Sequence, residues 1–162
     1  VVQNQHESMA EGRVRESVGD VTGCVVVGVD GSACGRAALR FAAHEARSRR
    51  CPLVVVRAWS LTTAPRPRDG EPGVVPPLSA FEAAVAAAVA DEVAAELGAT
   101  PGCEVRVTPV HDSPADALVA ASRSAALVVV GSRGHGAVAS LLLGSVSEHL
   151  VHHAEGPVAV VR

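Results

Sequence analysis

Short runs of almost purely aliphatic residues, set apart by helix-length segments, constrain this chain more than any other feature. Cys24–Asp30 (CVVVGVD), Leu53–Trp59 (LVVVRAW), Leu127–Gly131 (LVVVG) and the terminal Pro157–Val161 (PVAVV) are each a few residues long and rich in valine. Continuous apolar runs of that length read as strands buried on both faces, not as the alternating strands of a half-exposed sheet. A further strand, Glu104–Pro109, alternates valine with polar residues.

The intervening segments carry helical periodicity. Arg36–Arg49 sets Ala38, Phe41, Ala42 and Ala46 on one side with arginines between them, and Ser79–Leu97 places Phe81, Val85, Val89, Val93 and Leu97 four apart. Gly98 suits the C-cap of the latter. In DSPADALVAASRSA, Ser113 can cap, Pro114 fits the first helical position and Asp116 completes an S-x-x-D box. Gly144–His153 is the fourth helix. Strands that alternate with helices are joined by right-handed crossovers, which produces a parallel sheet covered on both sides. The expected fold class is therefore α/β: a doubly wound, five-stranded parallel sheet of order 3-2-1-4-5 with helices on both faces.

Composition narrows the function classes. At 162 residues, 48% apolar and 19% charged, the chain reads as one globular domain. Its net charge of −3 gives no electrostatic basis for nucleic acid or an acidic membrane as partner. There is no Ile, Tyr or Lys and a single Asn, the mark of a GC-rich coding sequence. Without lysine, the Walker A phosphate loop is excluded. The four cysteines, Cys24, Cys34, Cys51 and Cys103, include no Cys-x-x-Cys pair, so a thiolate metal site is not expected and a reduced, cytoplasmic setting is. Cys24 and Cys103 are placed in strands as small hydrophobes. No apolar run reaches the roughly 18 residues of a membrane span. Residues 1–20 are polar and mixed in charge, without the apolar core of a signal peptide, and are expected to be a flexible leader to a domain over 21–162. The proline-rich 60–78 segment fits no regular element and reads as a mobile loop: a lid, a partner site or simple disorder.

In a doubly wound sheet of that order, ligands bind beyond the carboxyl ends of strands one and four, where the strand order reverses. Those ends carry Asp30-Gly31-Ser32 and the stretch GSRGHGAVASLLLGSVS, Gly131 to Ser147. Gly131, Gly134 and Gly136 offer positive φ and close backbone approach, which an anion requires of a loop. Gly144 then leads to Ser145, where a helix N-terminus presents unpaired N–H groups. Several such donors on a polyphosphate, with a purine pocket, could supply the ~8 kcal/mol of micromolar binding. The competing reading is a capping box, Ser145-x-x-Glu148, which serves only the helix and sets a carboxylate near the phosphates. Asp30 could equally be a turn residue of an Asp-Gly pair. His149 and His153 share a helix face, but histidines in a last turn more often offset the helix dipole than bind metal.

The spacing Gly131-x2-Gly134-x9-Gly144-Ser145 closely resembles the nucleotide-binding signature of the universal stress protein family, in its ATP-binding branch. The early strand ending in Asp30-Gly31-Ser32, SPADALVAAS leading to ALVVVGSRG, and the last strand GPVAVV extend the resemblance over about Cys24 to Arg162. The resemblance implies that Gly131, Gly134, Gly144 and Ser145 bind phosphate and ribose, and that Asp30 meets the nucleoside. It implies a backbone contact from Ala58 to adenine, with Arg133, His135 and Ser147 as further contacts. It also implies ATP, or else ADP or AMP, with Mg²⁺ as ligand, a homodimer through the last strand, and a regulatory role in stress responses through an unidentified protein partner.

A weak ATPase and a nucleotide-free dimeric scaffold are the alternatives. Hydrolysis needs a base and a cation clamp, and the chain offers only Asp30 or His135 and Arg133. FMN is disfavoured by the absence of tyrosine, with Trp59 the sole large aromatic near the expected site and a natural fluorescence reporter.

Overall fold

A computed structural model of the chain describes residues 18–67, 75–135 and 143–162. The elements run β1 (Val25–Gly28), α1 (Ala33–Arg49), β2 (Leu53–Ala58), α2 (Leu78–Leu97), β3 (Val105–Val110), α3 (Pro114–Ser122), β4 (Leu127–Gly131), α4 (Ser145–His153) and β5 (Val158–Val161). Every strand pair is parallel and the order is β3-β2-β1-β4-β5, as the sequence predicts.

The strand runs are apolar throughout because both faces are covered. Val25, Val27, Leu53, Val55 and Val129 pack on one side with Leu39, Ala42 and Ala46 of α1 and Val85 and Val89 of α2. The predicted stripe of α2 faces this layer, with Phe81, Val93 and Leu97 at its margin. Val26, Val54, Val56, Val128 and Val130 pack on the other side with Leu118 and Ala121 of α3 and Leu150 of α4. Arg36 and Arg40 both pair with Glu96, tying α1 to α2.

The ends of elements differ from expectation where caps and turns take over. β1 stops at Gly28, two residues short of Asp30, because Gly31 turns the chain at φ +83°. α1 begins at Ala33 and not at Arg36, since the Ser32 hydroxyl accepts the Gly35 N–H at 3.0 Å and caps the helix earlier. Cys24 and Cys103 precede their strands instead of lying in them. Val18, assigned to the leader by sequence, is buried in the second core layer. Ser113 does cap α3, accepting from the Asp116 N–H, and Gly98 closes α2 at φ +72°. His149 and His153 stack with ring centroids 4.1 Å apart, and His153 Nδ1 lies 2.9 Å from the His149 carbonyl. Of the 60–78 segment, residues 68–74 lie outside the described residues. Among the described residues no helix is long and apolar enough to cross a membrane.

Leu39 is fully buried at the centre of the first layer, so Leu39→Ala is expected to lower unfolding free energy by about 2–5 kcal/mol in urea titrations. Loss of the Ser113 cap in Ser113→Ala should cost about 1 kcal/mol. Equal effects of the two variants would contradict the assignment of Leu39 to a packed core.

Candidate functional site

The carboxyl ends of β1, β2 and β4 open onto a cavity of about 450 Å³. It lies where the strand order reverses between β1 and β4, the general ligand position of such sheets. Its apolar floor is Val56, Leu118 and Val130. All eight residues singled out in the sequence line it: Asp30, Ala58, Gly131, Arg133, Gly134, Gly144, Ser145 and Ser147, with His135 beside them. Gly136 lies outside the described residues.

Asp30 joins the two loops of the site. Its Oδ1 accepts the Ser32 N–H at 3.0 Å, and its Oδ2 accepts the His135 N–H at 3.2 Å across from the β4 loop. Burial works to raise the pKa of this carboxyl group. The hydrogen bonds from Ser32, the His135 N–H and the charge of His135 outweigh that effect and hold it below its ordinary value of 3.8. Asp30 is thus an ionised, anchored acceptor and not a loose turn residue.

The glycines are required for one of the two reasons the sequence suggests. Positive φ was expected of Gly131 and Gly134, but it occurs at Gly31, and neither these two nor Gly144 adopts it. Close approach is what excludes side chains. A Cβ on Gly131 would come within 2.7 Å of the Cys34 backbone at the start of α1. A Cβ on Gly134 would collide with Asp30 Oδ2, and one on Gly35 would lie 2.7 Å from Asp30 Oδ1. Gly144 is roomier: its nearest neighbour would be Arg133 Cα at 3.4 Å.

The expected capping box does not form. Gly144 is the N-cap of α4 and Ser145 is the first helical residue. The first intrahelical bond runs from the Glu148 N–H to the Gly144 carbonyl at 2.9 Å, leaving the N–H groups of Ser145, Val146 and Ser147 at the cavity rim. The exposed Ser145 hydroxyl has no partner among the described residues, whereas buried Ser147 donates to the carbonyls of Ser132 and Gly144 at 3.1 and 2.9 Å. Ser147 therefore holds the helix end in place. Glu148 is exposed and does not line the cavity, which removes its conflict with an anion.

Two further serines went unassigned. Ser132 is buried; its carbonyl accepts the Gly144 N–H at 2.7 Å as well as the Ser147 hydroxyl, so it pins the start of α4 to the end of β4. Ser32 caps α1 and donates to the Arg133 carbonyl at 3.4 Å. A serine just before a helix was the signal for Ser32; nothing in the sequence marked Ser132.

At the other end of the cavity, even-numbered residues of β2 direct their main-chain groups toward β1 and odd-numbered ones toward β3, as the Val29 N–H to Val56 carbonyl and Trp59 N–H to Val110 carbonyl bonds show. β1 has already turned away at Ala58, whose N–H and carbonyl have no partner among the described residues. Arg57, next to it, was missed; a lone charge within LVVVRA was the available signal. Its guanidinium and His135 Nε2 flank Gly31, at 3.7 and 3.4 Å from that residue's Cβ position. Trp59 does not line the cavity: it is buried in the opposite core layer, 4.5 Å from the His111 ring.

A family model described as the universal stress protein family matches residues 24–162. The chain belongs to that family. A universal stress protein of Mycolicibacterium smegmatis is 39% identical over 138 residues, which are 85% of this chain and 47% of that protein. The chain spans about half the length of the curated relatives it matches. Among solved structures, a universal stress protein in complex with cAMP gives a TM-score of 0.59 at 26% identity, covering 88% of this chain and 98% of that one. The universal stress protein from Archaeoglobus fulgidus gives 0.61 at 23% identity, covering 88% and 100%, a likeness of fold.

The depressed pKa of Asp30 in this universal stress protein has a definite sign in stability. Because ionisation is favoured in the folded state, the carboxylate's contribution is fully present above the ordinary value of 3.8 and is lost as pH falls through the lower folded value. Urea titrations should find wild type more stable than Asp30→Asn by a constant margin above about pH 5, shrinking in acid. A margin that grows as pH falls would contradict the assignment.

Proposed function

We propose that this universal stress protein binds an adenine nucleotide, ATP with Mg²⁺ foremost or else ADP or AMP, in the cavity between β1 and β4. One observation carries this reading. Main-chain groups at Ala58, the Asp30 carboxylate, and the N–H groups and hydroxyl at the start of α4 all open on the same cavity, and those at Ala58 and at the start of α4 have no partner among the described residues. The Ala58 N–H and carbonyl suit the edge of a purine set on the apolar floor. Asp30, with acceptor capacity left on both oxygens, suits the ribose hydroxyls. Gly131, Gly134, Gly144, Ser145 and the Arg133 guanidinium suit the phosphates, with Ser147 in support. The solved family member in complex with cAMP supports the ligand class.

No group of three or more metal-ligating side chains occurs among the described residues. Mg²⁺ would therefore be carried by the phosphates and water, with Asp30 the nearby carboxylate. No lysine clamps a γ-phosphate, and Asp30 is already engaged by two N–H groups. Binding rather than turnover is the function we infer, exerted in the cytoplasm on a protein partner through nucleotide-dependent shape or association.

A homodimer through β5 fits the same picture. The outer edge of β3 is blunted by Pro109 and Arg106, but that of β5 is VAVV, half-buried along its length and free of charge.

The glycines provide the test. Gly144→Ala should fold with at most about 1 kcal/mol lost, yet weaken Mg-ATP binding by roughly tenfold or more, since its methyl enters the cradle. Ser145→Ala should weaken it similarly by removing a hydrogen bond to a charged group, about 1.5–3 kcal/mol. Gly131→Ala should lose stability as well, through Cys34. Wild-type affinity in folded Gly144→Ala and Ser145→Ala would remove the phosphate role from this helix end.

A further inference from the structure

At the opposite end of the sheet from the cavity, two thiols stand at the entries to β2 and β3. The parallel pairing sets Leu53 against Val105, and the Leu53 N–H reaches the Glu104 carbonyl at 2.8 Å. Cys51 and Cys103 each stand two residues before the strand begins, at corresponding positions of the two junctions. Neighbouring strands run about 4.8 Å apart, within the roughly 4.4–6.8 Å that separates the Cα atoms of a disulfide. Residues two apart on a strand share a face. Leu53 belongs to the first core layer, and Cys51 and Cys103 both pack against that layer. Each thiol is free and partly exposed.

The chain turns sharply before both residues: Arg50, at φ +54°, precedes Cys51, and Gly102, at φ +74°, precedes Cys103. The Arg47 guanidinium bridges the two junctions by donating to the Pro101 carbonyl at 3.0 Å. The Cys103 thiol also senses Cys51. Burial pushes the Cys103 pKa up, Arg47 opposes the rise and Cys51 adds to it.

We propose that Cys51 and Cys103 are a dithiol site that closes to an intrachain disulfide on reaction with a peroxide. One thiolate attacks a peroxide oxygen, the O–O bond breaks, and hydroxide leaves with a proton as water, giving a sulfenic acid. The second thiolate attacks that sulfur, the S–O bond breaks, the S–S bond forms and a second water leaves. Two thiols are oxidised and one hydrogen peroxide is reduced to two waters. Closure would tie the α1–β2 junction to the α2–β3 junction and constrain a loop of about fifty residues in the unfolded chain. It needs no bound nucleotide and stands apart from the nucleotide reading.

The remaining thiols serve as controls. Cys24 is buried, with Arg106 Nη2 2.9 Å from its sulfur, and Cys34 lies in the first turn of α1 facing Ser132. The test is to expose the reduced, whole chain to hydrogen peroxide, block free thiols, digest without reductant and map cross-links by mass spectrometry. The expected result is a Cys51–Cys103 linked peptide pair with two thiols lost per chain, in wild type and in the Cys24→Ser/Cys34→Ser double variant alike. Oxidised wild type should also melt at a higher temperature than reduced, and Cys51→Ser or Cys103→Ser should abolish both changes. Dimedone should capture a sulfenic acid at the remaining thiol of the pair in Cys51→Ser or Cys103→Ser. Links only between chains, another intrachain pairing, or oxidation confined to Cys24 or Cys34 would overturn the proposal.

Discussion

The Asp30 carboxylate accepts one N–H from its own loop, at Ser32, and one from the loop after β4, at His135, and the rest of the site is arranged around it. Two separate crossovers deliver those loops to the same end of the sheet, and nothing in the strand ladder fixes their distance beyond Gly28 and Val130. A half-buried carboxylate with a donor on each side does so. Its presence also explains two of the glycines. Gly35 and Gly134 lack side chains because Asp30 oxygens occupy the space a Cβ would need. A third, Gly131, is tied to packing against α1. The glycine pattern that reads as a phosphate loop is thus in part the signature of two loops pressed together around one acid.

That origin does not compete with ligand binding; it prepares it. Donors that must be held in place before the ligand arrives need a rigid frame, because ordering them on binding would cost free energy. Ser132 and Ser147 supply the same service to α4, pinning its first turn while leaving the Ser145 hydroxyl without a partner among the described residues. The polar groups inside the frame are satisfied by one another, and those of Ser145 and Ala58 at the rim of the cavity have no partner among the described residues. Ala58 follows the same logic through topology alone: β1 turns away one residue pair too early to satisfy it.

Most of the fold could be read from the sequence because burial on both faces leaves an unmistakable mark. LVVVRA and LVVVG have no polar face to present, and helical segments between such runs leave few topologies open. The ends of elements were less legible, since they depend on which short polar side chain captures which N–H. Ser32 started α1 three residues early, and Gly144 displaced Ser145 as the cap of α4. The eight residues singled out in the sequence all line the cavity, yet the groups that press on the glycines were not legible, because the collisions that exclude a Cβ involve Cys34 and Asp30, roughly a hundred positions away. Arg57 and Ser132 were missed for the same cause: their roles are set by neighbours that only the folded chain supplies. The Cys51–Cys103 pairing likewise needs the register of β2 on β3, which spacing along the chain does not reveal.

The central claim is that the cavity between β1 and β4 is a nucleotide site. Calorimetric titration of the nucleotide-stripped protein with Mg-ATP tests it most directly. The account predicts a saturating isotherm with one site per chain and a dissociation constant of roughly micromolar order, about −8 kcal/mol. The absence of any heat at two temperatures, with the Asp30, Ala58 and Ser145 amide resonances unmoved by Mg-ATP, would contradict it and leave the polar rim of the cavity as scaffold alone.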